Sequence, residues 1–139
     1  MFADGFVTVA RADHPRLVGD VLTLEAFLAE DHLLVSPRGA VNGHVDDALA
    51  ARGLRRRVAR TVPSFLAAIW HIGQSDHLLT VSRRLVNAVR DRLPLSVWAP
   101  PVPLEDYPIW LVWHPRVDSD AEHAWFRSVI TGAAERLDG

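Results

Sequence analysis

Residues His32 to Phe65 carry the clearest fold pattern of the chain, and they read HLLVSPRGAVNGHVDDALAARGLRRRVARTVPSF. The apolar run at 32–35 predicts a strand, and a polar loop follows it. A helical pattern comes next and ends at Gly53, a residue type that commonly stops helices. The face of this helix that would be buried carries Val45, Ala48 and Leu49. A second run at 57–62, rich in β-branched residues, completes a predicted strand–helix–strand unit.

The two strands of such a unit run in the same direction, so the polar loops that follow them lie at one edge of the sheet. Each loop leads into the N-terminus of a helix, where unpaired backbone N–H groups favour polar or anionic ligand groups. We therefore expect a binding edge formed by the loops after Val35 and Val62. This stretch carries no recognisable catalyst.

The same alternation continues on both sides of this unit. Apolar patterns predict strands at 6–11, 32–35, 57–62, 78–81 and 95–98. Helices are expected at 44–52 and 64–74, with Thr23 and Ser82 as the N-caps of two more. The buried face of the helix at 64–74 should carry Leu66, Ile69 and Gly73, with Phe65 and Ile72 beside them. This alternation predicts an α/β fold in which helices cover a parallel sheet.

The pattern changes after residue 98. Prolines at 100, 101 and 103 predict a stiff extended connector. Residues 107–114 read YPIWLVWH and are apolar on both alternating faces, which predicts a strand covered on both sides. Ser119 and Glu122 fit a capping box at the start of a last helix. The apolar stripe of that helix would comprise Phe126, Val129, Ile130, Ala133 and Leu137.

Length and composition predict one globular domain. The chain has 139 residues, a formal net charge of -2 and no cysteine, which argues against a disulfide framework or a thiolate metal site. All 15 basic residues are scattered arginines, so charge gives no indication of nucleic-acid binding. The N-terminus does not fit a signal peptide, and no apolar run approaches the ~18 residues of a membrane span. These observations predict a soluble cytoplasmic domain that contacts no membrane.

Several segments are similar in sequence to one known family. They are FVTVARADHP at 6–15, HLLVSPRG at 32–39, Val45-Asp46 with Ala48-Leu49, GLRRRVARTVPSF at 53–65, Ser75-Asp76 with Thr80-Val81, WHPR at 113–116 and HAWFR at 123–127. In this order the chain resembles the effector-binding region of LysR-type bacterial transcriptional regulators, and most closely the branch that responds to aromatic compounds and plant flavonoids. Two residues depart from that branch: Ser82 stands where proline is frequent, and His77 where an aliphatic residue is usual.

The resemblance implies part of a two-lobed domain shaped like a periplasmic binding protein. Residues of about 12–106 would form the second lobe, and 119–136 the closing helix of the first lobe. The segments 6–11 and 107–114 would be the two crossover strands. The implied function is to sense a small effector without a cofactor and without catalysis. No DNA-binding module is recognisable, so we expect no direct DNA binding by this chain, which would hold one wall of the usual cleft.

Six residues of the two loops are the predicted ligand-binding residues: Ser36, Asn42, Gly43, Pro63, Ser64 and Phe65. The resemblance implies that the residue after the proline at 63 faces the effector, together with a polar residue of the first loop. The expected effector is small and is aromatic or carries a carboxylate. No catalytic residue and no metal ligand is predicted.

Each of these residues also has a purely structural interpretation. Ser64 fits a helix N-cap, and Asn42 with Gly43 fits a tight turn. Ser36 fits an ordinary loop residue. Phe65 is expected to pack in the core rather than to stack on a ligand, because it falls on the apolar side of its helix.

The chain has one run of positive charge, formed by the arginines at 52, 55, 56, 57 and 60. We expect a solvated edge that complements the end of a helix, rather than a nucleic-acid site, because no aromatic residue is interleaved. His71 and His77 are six residues apart, with no carboxylate at ligand spacing, so no metal site is expected there.

Two other function classes stay open. Bare strand edges and a surface around Trp110 and Trp113 would recruit other chains, which predicts a homo-oligomer or an interaction module. An enzyme would need a nucleophile and a base within reach of each other. The consecutive residues 75–77, Ser-Asp-His, cannot form such a triad among themselves.

Overall fold

A computed structural model describes residues 2–138, which divide into two compact units. The larger unit is Gly5–Glu105, and the smaller one comprises residues 2–4 and 106–138. The strands are β1 (Phe2–Asp4), β2 (Phe6–Arg11), β3 (Asp31–Val35), β4 (Arg57–Val62), β5 (Leu78–Ser82), β6 (Leu95–Trp98) and β7 (Tyr107–Ile109). The helices are α1 (Leu24–Ala29), α2 (His44–Ala50), α3 (Phe65–Ile72), α4 (Arg83–Val89) and α5 (Ala121–Asp138), with a short 3-10 turn at Pro115–Val117.

The larger unit is an α/β fold built on a five-stranded sheet with the order β4-β3-β5-β2-β6. Strand β3 is parallel to both β4 and β5, whereas β2 is antiparallel to both of its neighbours, β5 and β6. The sheet is therefore mixed, and the expectation of a wholly parallel sheet was wrong for one strand. The four strands after β2 do share one direction, as the alternation predicted.

Phe6–Arg11 is the segment that we expect to be the first crossover strand. This segment is an integral strand of the sheet, where Thr8 hydrogen-bonds Thr80 of β5 through their hydroxyls at 2.9 Å. The strand that pairs with Tyr107–Ile109 is instead Phe2–Asp4. Local periodicity correctly predicted a strand at 6–11, but the neighbours of that strand lie about 70 to 90 residues further along the chain.

Helices cover both faces of the sheet, as predicted. On one face the core contains Val45 and Leu49 of α2 with Phe27 of α1. On the other face it contains Ile69 and Ile72 of α3, packed with strand residues and Val86 of α4. Consecutive strand residues alternate between these two cores: Ala10 and Leu78 belong to the first, and Val9 and Leu79 to the second.

Helix α3 buries a narrower face than the sequence predicted. Its buried residues are Ala68, Ile69 and Ile72. Leu66 is 72% exposed and Phe65 is 49% exposed, so the expectation that both pack in the core was wrong. Phe65 is the first residue of the helix, and the buried side chains all belong to its later turns.

Two ion pairs lie at the edge of the sheet where β3 and β5 begin. Buried Glu30 accepts two hydrogen bonds of 2.7 Å from the guanidinium of Arg16, which lowers the pKa of the Glu30 carboxyl. Arg11 at the end of β2 donates to Asp76, which precedes β5, at 2.6 Å. Buried His14 lies between these two pairs, with its Nε2 2.9 Å from the carbonyl oxygen of Asp76. We call these residues the basal network.

The smaller unit pairs β1 with β7 in antiparallel register, Phe2 opposite Ile109. The strand ends at Ile109, and Trp110 and Val112 are 71% and 82% exposed, so the prediction of a covered strand over 107–114 was wrong. Strand β1 has three residues, and its pairing covers 107–109.

The last helix differs from its prediction in two respects. The carboxylate of Asp120, rather than the hydroxyl of Ser119, accepts the N–H of His123 at 2.9 Å in its first turn. The predicted apolar stripe is largely exposed, including Phe126 at 55%, whereas Ala134 is buried. None of the helices between residues 2 and 138 combines the length and the apolar character needed to cross a membrane.

One ionisable residue is enclosed in the core of the larger unit. His32 of β3 is fully buried, and its Nε2–H donates to the carbonyl oxygen of Phe27 at 2.7 Å. The two rings pack edge to face with centroids 4.4 Å apart. Within the described residues Nδ1 has no hydrogen-bond partner. Burial lowers the pKa of His32 to about 4, against the opposing effect of the bond to Phe27.

Acid should therefore destabilise this fold through His32. Between pH 6.5 and about 4 the unfolded chain binds a proton that the folded chain does not, so the free energy of unfolding falls as the pH falls. The expected loss from this residue is roughly 3 kcal/mol. Urea unfolding at several pH values should show a smaller acid loss in His32→Gln. His123→Gln, at an exposed position of the other unit, is the matched control. An unchanged acid loss in His32→Gln would contradict the prediction.

Candidate functional site

The loops after β3 and β4 lie side by side, as the sequence predicted. The parallel register sets Val35 opposite Val62, and the N–H of Ser36 donates to the carbonyl oxygen of Val62 at 2.8 Å. Because β5 is parallel to β3, the end of β5 at Ser82 points to the same edge. We call this edge, which carries Ser36, Ser64 and Ser82, the carboxyl edge.

The first loop has its own internal structure. Gly39 has a φ of +75°, and its N–H donates to the carbonyl oxygen of Ser36 at 3.2 Å, which turns the chain. At the end of the loop, the N–H of Gly43 donates to the carboxylate of Asp46 at 2.8 Å. A Cβ at position 43 would approach Cδ1 of Leu34 to 3.3 Å, which is tighter than an ordinary contact. The N–H of Gly43 is thus already bonded to Asp46 within the protein.

An ion pair fixes the start of α2. Arg56 donates to both carboxylate oxygens of Asp46 at 2.8 and 2.9 Å, and the Arg56 side chain is only 2% exposed. The same carboxylate accepts the N–H of Gly43, so it connects helix, loop and incoming strand. The expectation that the whole arginine run is solvated was wrong for Arg56. The other four arginines of the run are exposed: 52, 55, 57 and 60.

The Asp46 carboxylate is ionised in this arrangement. Burial raises the pKa of Asp46, but the hydrogen bonds and charge of Arg56, together with the N–H of Gly43, outweigh burial and hold that pKa below its ordinary value. An ionised carboxylate in the first turn of a helix also interacts favourably with the helix dipole. The fixed charge therefore belongs to the scaffold of the loop.

Helix α3 starts at the carboxyl edge with an unused hydroxyl. Ser64 is its N-cap, with φ -133° and ψ 137°, but the side chain makes no capping hydrogen bond. Ser82, in contrast, accepts the N–H of Leu85 at 3.1 Å and caps α4, as predicted. Pro63, Ser64 and Phe65 are all exposed. This helix start therefore offers a hydroxyl, first-turn N–H groups and an aromatic ring to the solvent.

The structure divides the six predicted residues into two groups. Ser36 is nearly buried at the carboxyl edge, next to the loop that carries Pro63, Ser64 and Phe65. Asn42 is exposed and lines an opening of about 340 Å³ between α2 and the start of β4. The lining residues described for that opening include none of the residues after Val62. Asn42 therefore faces different surroundings from Ser64.

Sequence reasoning missed two aromatic residues at the carboxyl edge. Phe6, at the start of β2, is opposite Ser82 in the antiparallel ladder and lies 5.6 Å, centroid to centroid, from the ring of His44. His44 is the first residue of α2 and directly follows the predicted Asn42-Gly43 turn, a signal that could have been used. Phe6 gave no local signal, because its position depends on how β2 inserts into the sheet.

Comparison with known proteins identifies the fold. Residues 1–135 match the family described as the LysR substrate binding domain. The chain belongs to this family. SyrM from Rhizobium meliloti (strain 1021), named an HTH-type transcriptional regulator, is 37% identical over 135 residues, which are 96% of this chain and 41% of SyrM.

Two solved structures support the assignment of this LysR substrate-binding domain. The probable transcriptional regulator PA0477 from Pseudomonas aeruginosa is 43% identical, with a TM-score of 0.71 over 76% of this chain and 35% of that one. The regulatory domain of MexT, a transcriptional activator in Pseudomonas aeruginosa, is 28% identical, with a TM-score of 0.79 over 93% of this chain and 63% of that one. The relatives are transcriptional regulators, and the chain spans less than half the length of SyrM.

Breaking the ion pair should destabilise this LysR substrate-binding domain. Asp46→Ala leaves a buried guanidinium without its partner and the Gly43 amide without its acceptor. We expect a loss of about 3 kcal/mol in the free energy of unfolding, measured by urea denaturation. Asp47→Ala, at the exposed neighbouring position of the same helix, should cost less than about 1 kcal/mol. Equal losses in the two variants would show that the ion pair is not the cause.

Proposed function

We propose that this chain is the effector-sensing region of a LysR-type transcriptional regulator and that it binds a small aromatic or carboxylate-bearing molecule at the carboxyl edge. The observation that carries the proposal is the start of α3, where the hydroxyl of Ser64 caps nothing and lies beside an exposed Phe65. Membership of the LysR substrate-binding domain family supports it. The proposal covers ligand binding, which the family description names, and not catalysis.

The proposed contacts match the chemistry of an aromatic acid. The carboxylate would accept hydrogen bonds from the Ser64 hydroxyl and from first-turn N–H groups of α3, where the helix dipole favours negative charge. Arg38, two residues after Ser36 in the neighbouring loop, is exposed and carries a positive charge. The face of Phe65, with Pro63 before it, would stack on the ring of the ligand.

The first loop completes the proposed wall. Ser36 would contribute from the end of β3, and Asn42 and Gly43 from the start of α2. Their contribution is conditional on the loop moving toward Ser64, since Asn42 lines a separate opening and the Gly43 amide is bonded to Asp46. We propose that ligand binding selects such a closed arrangement from those the loop samples.

In a regulator of this family, we propose that the selected arrangement changes how the protein controls transcription in the cytoplasm. Direct contact with DNA by this chain is not part of the proposal. The formal net charge of the chain is -2, and two arginines of the run are paired, Arg56 with Asp46 and Arg57 with Asp31.

Titration with benzoate and salicylate tests the proposed site. Chemical-shift changes in a two-dimensional NMR spectrum should concentrate at Ser36, Ser64 and Phe65. Ser64→Ala should weaken binding about tenfold, because a hydrogen bond to a charged group is lost. Cyclohexane carboxylate should bind several-fold more weakly than benzoate, because it cannot stack on Phe65.

Ser119→Ala, at an exposed position of the smaller unit, is the matched control and should keep the affinity of the natural chain. Shift changes confined to residues away from the carboxyl edge would contradict the proposed site. Equal affinities of Ser64→Ala and the natural chain would contradict the proposed role of the hydroxyl.

We further propose that the chain forms a homo-oligomer through its smaller unit. Large apolar side chains are exposed there, including Trp110 at 71%, Val112 at 82% and Trp125 at 67%. Trp113 is less available, because its indole donates to Asp118 and the Arg127 guanidinium lies over its ring. Exposed aromatic groups of this size commonly mark contacts with other chains.

Light scattering over a micromolar range should show a dimer or a larger species. Trp110→Ser should weaken the association at least tenfold, because buried tryptophans dominate interface energies. Trp70→Ser is the matched control, since Trp70 is a similarly exposed tryptophan, 67%, in the other unit. A monomer at every concentration, or an equal effect of the two substitutions, would contradict the proposed interface.

A further inference from the structure

Two histidines that the proposed binding edge does not use face each other at the far end of α3. His71 lies in the last turn of α3, and His77 comes directly before β5. Nε2 of His71 and Nδ1 of His77 are 2.8 Å apart, and the ring planes differ by only 12°. At this distance one ring donates its N–H to the lone pair of the other.

We propose that this histidine pair is a pH-sensitive latch that ties the C-terminal end of α3 to the start of β5. The pair connects the helix layer to the sheet, and the hydrogen bond between the two rings depends on their protonation. The latch itself is independent of the proposed ligand site, whereas its consequence for Ser64 rests on the proposed function.

Proton counting explains why the bond is sensitive to pH. With no added proton, one ring donates an N–H and the other accepts. With one added proton, an imidazolium N–H still donates to the neutral ring, and the bond persists. With two added protons, both facing nitrogens carry hydrogens, no acceptor remains and two positive charges repel each other. The latch therefore opens when the pair binds its second proton.

The surroundings of His71 disfavour added positive charge. Burial, then the charge of His77 and that of Arg60 on β4, lower the pKa of His71. Arg60 is the further positive charge that acts on the pair, and it disfavours the doubly protonated state.

The other charged groups on the strands beneath α3 are engaged elsewhere. Arg11 of β2 is paired with Asp76, and Asp31 of β3 with Arg57. His32 of β3 belongs to the other face of the sheet, where it packs on Phe27. Strand β5 itself, Leu78–Ser82, carries no ionisable side chain.

The latch and the proposed ligand wall are the two ends of one helix. Helix α3 has eight residues, and Ser64 precedes the first of them. We expect release of the last turn of this eight-residue helix to loosen its first turn as well. Acidification would then weaken ligand binding by changing the orientation of Ser64 and Phe65.

Amide hydrogen exchange tests the latch without any ligand. The N–H groups of Gly73 and Gln74, which bond the carbonyl oxygens of Ile69 and His71, report on the last turn of α3. Between about pH 7.5 and about pH 5, after correction for the intrinsic exchange rate, their protection should fall about tenfold or more. The N–H of Arg90 at the end of α4, bonded to Val86 at 2.8 Å, should not follow them.

Two variants separate the latch from general packing. His71→Gln cannot become charged, and its amide can donate to the neutral Nδ1 of His77 or accept from the protonated one, so the acid loss of protection should disappear. His77→Leu removes the bond at every pH, so protection near pH 7.5 should already be as low as in the natural chain near pH 5. An acid loss in His71→Gln equal to that of the natural chain would overturn the proposal. So would equal losses at Gly73 and Arg90, because the opening would then be global.

Ligand titrations distinguish this proposal from the proposed function. If benzoate binds at neutral pH and the exchange test fails, the latch is refuted and the binding site stands. If the exchange test succeeds and no ligand binds at the carboxyl edge, the latch stands and its link to Ser64 is refuted.

Discussion

The parallel pairing of β3 with β4 is the constraint on which the rest of the larger unit depends. Parallel strands need a crossover, and here α2 makes it, with its buried face against the sheet. The same pairing places the amide of Ser36 on the carbonyl oxygen of Val62, so that two loops leave the sheet together. The position of the proposed binding edge is therefore a consequence of strand direction.

Three helices start at or near this edge, and their first turns are satisfied in different ways. The Asp46 carboxylate, held by Arg56, accepts the amide before α2. The hydroxyl of Ser82 caps α4. The hydroxyl of Ser64 caps nothing in α3. A fold that satisfies two of these starts internally and leaves the third to solvent concentrates its free donors at one place, which is why the ligand is proposed to bind there.

The two edges of the sheet have contrasting chemistry. The basal network pairs Arg16 with buried Glu30 and Arg11 with Asp76, so its charges are neutralised within the protein. The carboxyl edge instead exposes Phe65 and the Ser64 hydroxyl. Helix α3 connects these regions, since it starts at the open edge and ends at the His71–His77 pair, directly next to Asp76. The basal network is held by internal ion pairs, whereas the carboxyl edge presents hydrogen-bond donors to the solvent. This contrast agrees with the proposed binding of a small molecule at the carboxyl edge.

The amino-acid pattern was enough to predict the strands at 6–11, 57–62 and 95–98, the caps at Thr23 and Ser82, and the shared edge of the two loops. These features follow from local periodicity, capping chemistry and the geometry of one strand–helix–strand unit. Three features became visible only in the folded chain: β2 inserts in reverse between β5 and β6, Arg56 is buried against Asp46, and Phe65 is exposed. The position of β2 is set by pairing with strands about 70 to 90 residues further along the chain. The burial of Arg56 and the exposure of Phe65 depend on how α2 and α3 lie against the sheet, which local sequence patterns do not report.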